Sequence, residues 1–179
     1  MPAAAAFEPF RTDHHRLLAW LDEIETVMLQ VGGRLGISPL TASALDELVD
    51  FIEAQFATHM RAEEKVLYPA FEELFPEAAP SLSPLRAQHG ELRTMLTRLR
   101  ILLRESSTPD RDEQVAVQMR DFVDLLRIHI HNEEAAVFGV AARVLSAAEI
   151  SQIDASIAAH YGHNQRPIDV PPTMKGRPS

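Results

Sequence analysis

One arrangement of residues that could bind a metal is written twice in the chain. His-x-x-x-Glu-Glu spans residues 59–64 and again residues 129–134. Positions i and i+4 of a helix lie on the same face one turn apart, so each copy presents an imidazole and a carboxylate in one direction. Helical bundles hold transition metals with inward-facing side chains of these types. Because burial of two carboxylates is unfavourable unless a cation compensates their charge, the repeat predicts a metal site.

Two more histidines stand on the apolar stripes of helical patterns. His14 and His89 belong to the first and third predicted helices. In an antiparallel bundle, the number of residues between a histidine and the connecting loop predicts its height. From 14 to 33 is 19 residues and from 41 to 59 is 18, while from 89 to 104 is 15 and from 110 to 129 is 19. We therefore expect one histidine from each helix in a single layer.

The ligand types favour iron or manganese at this layer. A single zinc ion needs only four ligands, and calcium or magnesium prefers oxygen. Mixed nitrogen and oxygen ligands with open positions suit iron or manganese. The number of ligands suggests two ions, with His14 and His59 on one, His89 and His129 on the other, and Glu63 and Glu133 as bridges.

Other histidines and glutamates of the motifs are expected to have different roles. Glu64 and Glu134 each lie one residue further round the helix, so we expect them in solvent or behind the ligands. His15 and His131 point away from the apolar stripes and are expected on the surface.

Helical periodicity accounts for most of the chain, and the alternating pattern of strands is absent. Four long helices and one short helix are predicted. Pro69 and Gly139 are candidate positions for a kink in the second and fourth helices. The predicted ranges are 10–31, 42–74, 84–104, 110–145 and 147–160.

Local capping signals set the predicted helix starts. Thr41 is read as an N-cap, and Ser83 before Pro84 is read as an N-cap with proline in the first turn. Residues 76–83 are accordingly predicted to form a linker. Ser146 and Glu149 have the spacing of a capping box, which opens the short fifth helix.

These elements predict an all-α fold, an up-down antiparallel four-helix bundle with a short C-terminal fifth helix. Residues 1–164 are expected to form one domain. Residues 165–179 contain four prolines and are predicted to form an extended or disordered tail.

Composition excludes several classes of function. The chain has a net charge of −9 and no cysteine, which excludes thiolate chemistry and argues against nucleic acid or anionic membranes as partners. Phosphate-binding loops and nucleophile elbows are absent. The first residues lack the features of a signal peptide, so a cytoplasmic location is expected. A monomer or weak homodimer is the expected state.

The combined motifs resemble the hemerythrin-like proteins, also called HHE cation-binding domains. Four segments carry the resemblance, which covers about residues 14–144: Asp13-His14, His59-x-x-x-Glu63, His89 and His129-x-x-x-Glu133. The resemblance implies a four-helix bundle with two iron ions, bridged by oxo or hydroxo groups and by carboxylates. Such a centre can bind or react with O2, peroxide or nitric oxide. Manganese and zinc rank below iron.

The chain departs from the oxygen-carrying members of this family at two points. Their second histidine on helix 3 is replaced by Arg93, which either faces solvent or stays near the site and favours a bound peroxide. Their aspartate five residues after the helix 4 histidine corresponds to Glu134, so the bridge could be Glu133 or Glu134. A ferritin-like site ranks lower because it requires Glu-x-x-His spacing.

Three functions are therefore open at the level of sequence. The first is a di-iron protein that binds or senses O2 or nitric oxide. The second is an enzyme that disproportionates peroxide in the manner of a catalase. The third is a non-catalytic protein, either an iron store or a sensor of iron or oxygen, that passes its state to a partner through the tail.

Overall fold

The regular structure of the described chain is helical, which confirms the predicted all-α fold. The computed structural model describes residues 7–32 and 37–164, with side chains at 7–28 and 37–159. The predicted tail lies outside these residues. The helices are α1 (Glu8–Gly32), α2 (Pro39–Ala62), α3 (Tyr68–Leu74), α4 (Ala79–Arg104), α5 (Pro109–Glu133), α6 (Gly139–Val144) and α7 (Ala147–Asn164).

Four helical runs form the predicted bundle. The first and third runs are α1 and α4, whereas the second and fourth are each divided, into α2 with α3 and α5 with α6. Helix α4 packs against both α2 and α5, and α1 packs against α5. Helix α7 packs near the junction of α2 and α3.

A π turn divides each of the two runs that carry the repeated motif. The turns span Glu63–Leu67 and Glu134–Phe138. At the end of each turn the next backbone N–H, from Tyr68 or Gly139, donates to the carbonyl five residues back. The inserted residue rotates the helix that follows relative to the motif. Such single π turns often occur at functional sites.

Local sequence makes these turns less costly than elsewhere in a helix. Pro69 has no N–H to donate to the carbonyl of Lys65, so an α-helical ladder would already lose one bond here. A Cβ at Gly139 would lie 3.2 Å from the carbonyl oxygen of Glu134, which glycine avoids. The two predicted kinks therefore lie directly beside the π turns.

Two predicted helix starts were wrong. The N-cap of α2 is Ser38, whose Oγ accepts from the Thr41 N–H at 3.1 Å, so Thr41 lies inside the first turn. Helix α4 starts at Ala79, within the predicted linker, and Pro84 lies inside the helix rather than at its start. Burial of Leu82 in the core outweighs the single backbone hydrogen bond that Pro84 removes.

The start of α7 agrees with its predicted capping box. The Ser146 N–H donates to Glu149 Oε2 at 2.7 Å, and the Glu149 N–H donates to Ser146 Oγ at 3.3 Å. Ile153 and Ile157 then bury one face of α7 against the bundle.

Two apolar clusters fill the bundle, and a polar layer separates them. Along α1, His14 lies between Phe10 of the smaller cluster and Leu17 of the larger one. Along α4, His89 lies between Leu85 of the smaller cluster and Leu92 of the larger one. The polar layer is thus covered by packed hydrocarbon on both sides, which keeps water away from it.

None of the described helices is both long enough and apolar enough to cross a bilayer.

Candidate metal centre

The six predicted ligands meet in the polar layer, and each is at most 1% exposed. The potential ligand atoms form two groups, and within each group all the atoms lie within 4.8 Å of one another. One group comes from His14, His59, Glu63 and Glu133, and the other comes from Glu63, His89 and His129. The predicted convergence of the four histidines is confirmed. His15 and His131 are exposed, also as predicted.

The first half-site consists of the two histidines His14 and His59. His59 Nε2 lies 2.7 Å from Glu63 Oε1. His14 Nε2 lies 3.2 Å from Glu133 Oε2 and 3.7 Å from Glu63 Oε1. The Nε2 atoms of this half-site therefore face both glutamates.

The second half-site consists of His89 and His129. His89 Nε2 lies 3.2 Å from Glu63 Oε2, and His129 Nε2 lies 3.9 Å from Glu133 Oε2. The two Nε2 atoms are 3.1 Å apart. Glu63 thus turns one carboxylate oxygen toward each half-site.

Many of the inward-facing atoms are buried without a hydrogen-bond partner among the described residues. They include both carboxylate oxygens of Glu63, both of Glu133, and the Nε2 atoms of His14 and His59. Buried polar groups are normally paired, and an unpaired buried group is destabilising. A cation placed among these oxygens and nitrogens would satisfy them together.

The two glutamates differ in their electrostatic state. Burial raises the pKa of Glu133 to about 7, and the nearby negative charge of Glu63 adds to this effect. Burial also acts to raise the pKa of Glu63. The positive charge of His59 and the close approach of three histidine nitrogens outweigh it, so that the pKa of Glu63 is held well below its usual range. Glu63 is the more strongly ionised of the pair.

The pKa values of the two motif histidines, His59 and His129, are shifted in opposite directions. Burial disfavours protonation of His59, but the charge of Glu63 and the contact with Asp13 outweigh burial and raise its pKa to about 9. Burial lowers the pKa of His129 to about 3, against the attraction of Glu63. The same motif position therefore favours a protonated imidazole in one copy and a neutral imidazole in the other.

The second glutamate of each motif crosses to a histidine of a neighbouring helix. Glu64 Oε1 lies 2.8 Å from His89 Nδ1, and Glu134 Oε1 lies 3.0 Å from His14 Nδ1. Of the two predicted positions, solvent or behind the ligands, the structure shows the second. A carboxylate on Nδ1 keeps the proton there and leaves Nε2 free to bind a metal.

Arg93 belongs to this outer contact. Its Nη2 donates to Glu64 Oε1 at 2.8 Å, and its side chain is 43% exposed. Arg93 therefore holds the carboxylate behind His89 and does not occupy a ligand position. The alternative in which Arg93 favours a bound peroxide has no support in this geometry.

Asp13 and Gln88 contact the remaining two histidines. From sequence alone, Asp13 is only part of the Asp13-His14 motif, with no predicted contact of its own, and Gln88 has no predicted role. The His129 Nδ1 is 3.2 Å from Gln88 Oε1. The His59 Nδ1 is 3.4 Å from Asp13 Oδ2, which falls just outside hydrogen-bond range. Each of these residues immediately precedes a ligand histidine in the sequence, and that adjacency is the signal that could have found them.

Two aromatic side chains at equivalent positions cover the two half-sites. Tyr68 and Phe138 each stand five residues after the first glutamate of their motif. The Tyr68 ring stacks on His89 with centroids 5.9 Å apart, and the Phe138 ring lies 5.7 Å from His14. The sequence alone predicts no role in the site for either ring.

The Tyr68 hydroxyl is buried near the Glu133 carboxylate but makes no hydrogen bond of ordinary geometry with the described residues. Burial, followed by the charges of Glu63 and Glu133, raises its pKa far above the usual value. The hydroxyl therefore stays neutral and can act as a hydrogen-bond donor inside the site.

Comparison with known proteins agrees with this geometry. The family model described as "Hemerythrin HHE cation binding domain" matches residues 5–141. No curated protein and no solved structure matches the chain.

Proposed function

The chain belongs to the hemerythrin HHE cation-binding family, and from this membership and the buried histidine–glutamate layer we propose a non-haem di-iron protein. Its ligand or substrate would be a small molecule, either O2, peroxide or nitric oxide. The observation that carries the proposal is the set of unpaired, inward-facing oxygen and nitrogen atoms in a layer closed to water.

The proposed ligands follow the two half-sites. His14 and His59 would hold one ion, and His89 and His129 would hold the other. Glu63 would be shared by the two ions, because one of its oxygens lies near each half-site. Glu133 rather than Glu134 would be the second shared ligand, because Glu133 is fully buried among the histidines while Glu134 contacts His14 from outside. The six ligands are therefore His14, His59, Glu63, His89, His129 and Glu133.

The donor set supports iron ahead of manganese and zinc. Four imidazoles and two carboxylates exceed what one tetrahedral zinc ion needs. Mixed nitrogen and oxygen donors with open positions suit iron. When bound, iron supplies one-electron redox chemistry and open positions for a small ligand.

The protein's own residues orient and protect the site. The Nδ1 partners aim each Nε2 inward, and the two apolar clusters exclude water and larger molecules. Tyr68 Oη can donate a hydrogen bond to an oxygen or nitrogen atom beside the second half-site. A cytoplasmic location and a monomeric or weakly dimeric state stay predictions from the sequence.

Peroxide disproportionation is the second candidate, favoured by the buried Tyr68 hydroxyl. A neutral hydroxyl at this position can stabilise a peroxide oxygen by donating a hydrogen bond to it. The overall reaction converts two H2O2 into one O2 and two H2O. A sensor that acts through the tail stays a prediction, since the tail lies outside the described residues.

Metal analysis is the test of the proposal. The protein is purified without added metal, its iron, manganese and zinc are measured by mass spectrometry, and an absorption spectrum is recorded before and after peroxide. About two irons per chain with near-ultraviolet charge-transfer bands would support the di-iron centre. O2 release in a ratio of one to two H2O2 would favour the enzyme. Zinc alone, or no metal after reconstitution with Fe2+, would overturn the proposal.

A further inference from the structure

The outer contacts of the four histidines follow an approximate two-fold pattern. Asp13 precedes His14 and reaches His59, just as Gln88 precedes His89 and reaches His129. The second glutamate of each motif crosses in the same way to the histidine of a neighbouring helix. Three of the four outer residues are carboxylates.

Gln88 is the exception in this pattern. Its side chain is a neutral amide at the position equivalent to the Asp13 carboxylate. The first half-site therefore has two outer carboxylates, Asp13 and Glu134, whereas the second has only Glu64. The approximate symmetry makes this a difference between otherwise similar environments.

Charge behind a ligand histidine changes how strongly its Nε2 binds a metal. A carboxylate on Nδ1 makes the imidazole a better donor, and loss of such a partner typically weakens metal binding ten- to a hundredfold. The Asp13 contact is slightly longer than the Gln88 contact, at 3.4 Å against 3.2 Å. The full charge of a carboxylate still outweighs the dipole of an amide at this small difference in distance.

Resting on the proposed two-metal function, we infer that the two half-sites are unequal and that Gln88 makes the second half-site the weaker one. The ion at His89 and His129 binds last and leaves first. Gln88 is a positioning residue, which acts on the metal through His129.

The experiment is a calorimetric titration of the metal-free, full-length chain with Co2+, an air-stable probe for Fe2+, at fixed pH. Wild type is expected to bind two ions in two unequal steps. Gln88→Glu should tighten the weaker step about tenfold and leave the tighter step unchanged. Asp13→Asn should weaken the tighter step by a similar factor, and it keeps the inference testable if Gln88→Glu folds poorly.

Gln114→Glu is the matched control. It makes the same chemical change at an exposed residue of α5, 15 residues before His129 (129 − 114) and therefore roughly 22 Å away. Both steps should stay unchanged in this variant. An equal tightening by Gln114→Glu would mean that net charge, not the outer contact, sets the affinity, and the inference would fall.

The titration also separates the inference from the proposed function. Two ions bound with equal affinity, and no response to Gln88→Glu, would overturn the inference and leave a two-metal centre. Fewer than two ions in wild type would overturn both.

Discussion

The two half-sites share one plan and differ in their charge. Each has two histidines, one crossing glutamate and one covering aromatic ring. In the first half-site His59 lies 2.7 Å from its motif glutamate and has a pKa raised to about 9. In the second, His129 lies 3.9 Å from its motif glutamate and has a pKa lowered to about 3.

This difference shows that a repeated motif does not guarantee a repeated environment. The spacing within each helix is the same, but the side chains supplied by the other helices are not. Asp13 in the first half-site occupies the position that Gln88 has in the second, and Phe138 occupies the position that Tyr68 has. The first half-site is therefore the more anionic one, and the second has the only hydroxyl among these four residues.

The largest loss of metal is expected from Glu63→Gln, which removes the carboxylate that turns one oxygen toward each half-site. Both irons should be lost, because the amide cannot bridge them. The increase in Tm that iron gives to wild type should disappear, since metal binding adds to folding free energy only where the metal binds. Metal analysis and thermal unfolding with and without iron measure this. Exposed Glu91→Gln is the control and should keep two irons. Retention of both irons by Glu63→Gln would contradict the bridging assignment.

The next largest loss of metal affinity is expected when either crossing glutamate is changed, and each change should act on only one half-site. Glu64→Gln should weaken metal binding at the second half-site, and Glu134→Gln at the first, each about ten- to a hundredfold. Stepwise Co2+ titration reads the two affinities. If either substitution weakened both steps equally, the crossing contacts seen at His89 and His14 would not act on separate ions.

A smaller effect, on the affinity for an added ligand, is expected when either aromatic residue is replaced by the one at the equivalent position. Tyr68→Phe removes the buried hydroxyl and should weaken azide binding to the iron-loaded protein about tenfold, the value of one hydrogen bond in a dry site. Iron content should stay at wild-type level. Phe138→Tyr places a hydroxyl in the first half-site and serves as the matched variant. Unchanged azide affinity in Tyr68→Phe would remove the argument for ligand binding beside His89.

The smallest effect is expected at the two arginines behind the crossing glutamates. Arg93 contacts Glu64 at 2.8 Å, and Arg11 contacts Glu134 at 3.6 Å. Because such partly exposed ion pairs contribute at most about 1 kcal/mol, Arg93→Gln should weaken the second Co2+ step by no more than about fivefold, and Arg11→Gln the first step by less. A loss as large as that of Glu64→Gln would mean that Arg93 does more than hold the carboxylate.

Local sequence determined the fold and the inward-facing candidate ligands because both depend on helix periodicity. The spacing in His59-x-x-x-Glu63 places the two side chains on one face in any α-helix. The apolar stripes then require that face to turn inward, and short connections place the helices antiparallel. For this reason, the bundle, the layer of four histidines and the absence of His15 from it could all be predicted.

Other features depended on contacts between helices. The contact of Glu64 with His89 and the contact of Gln88 with His129 involve residues that no helical period relates. The early start of α4 likewise follows from burial of Leu82, which overrode the capping signal at Ser83.

The chain by itself thus determined which side chains point inward, because an i to i+4 relation is set within a few residues of backbone. Only the tertiary structure decided what stands behind each histidine and which copy of the motif is charged. Those properties depend on distances of 3–4 Å between side chains from different helices, and such distances arise only when the helices pack together.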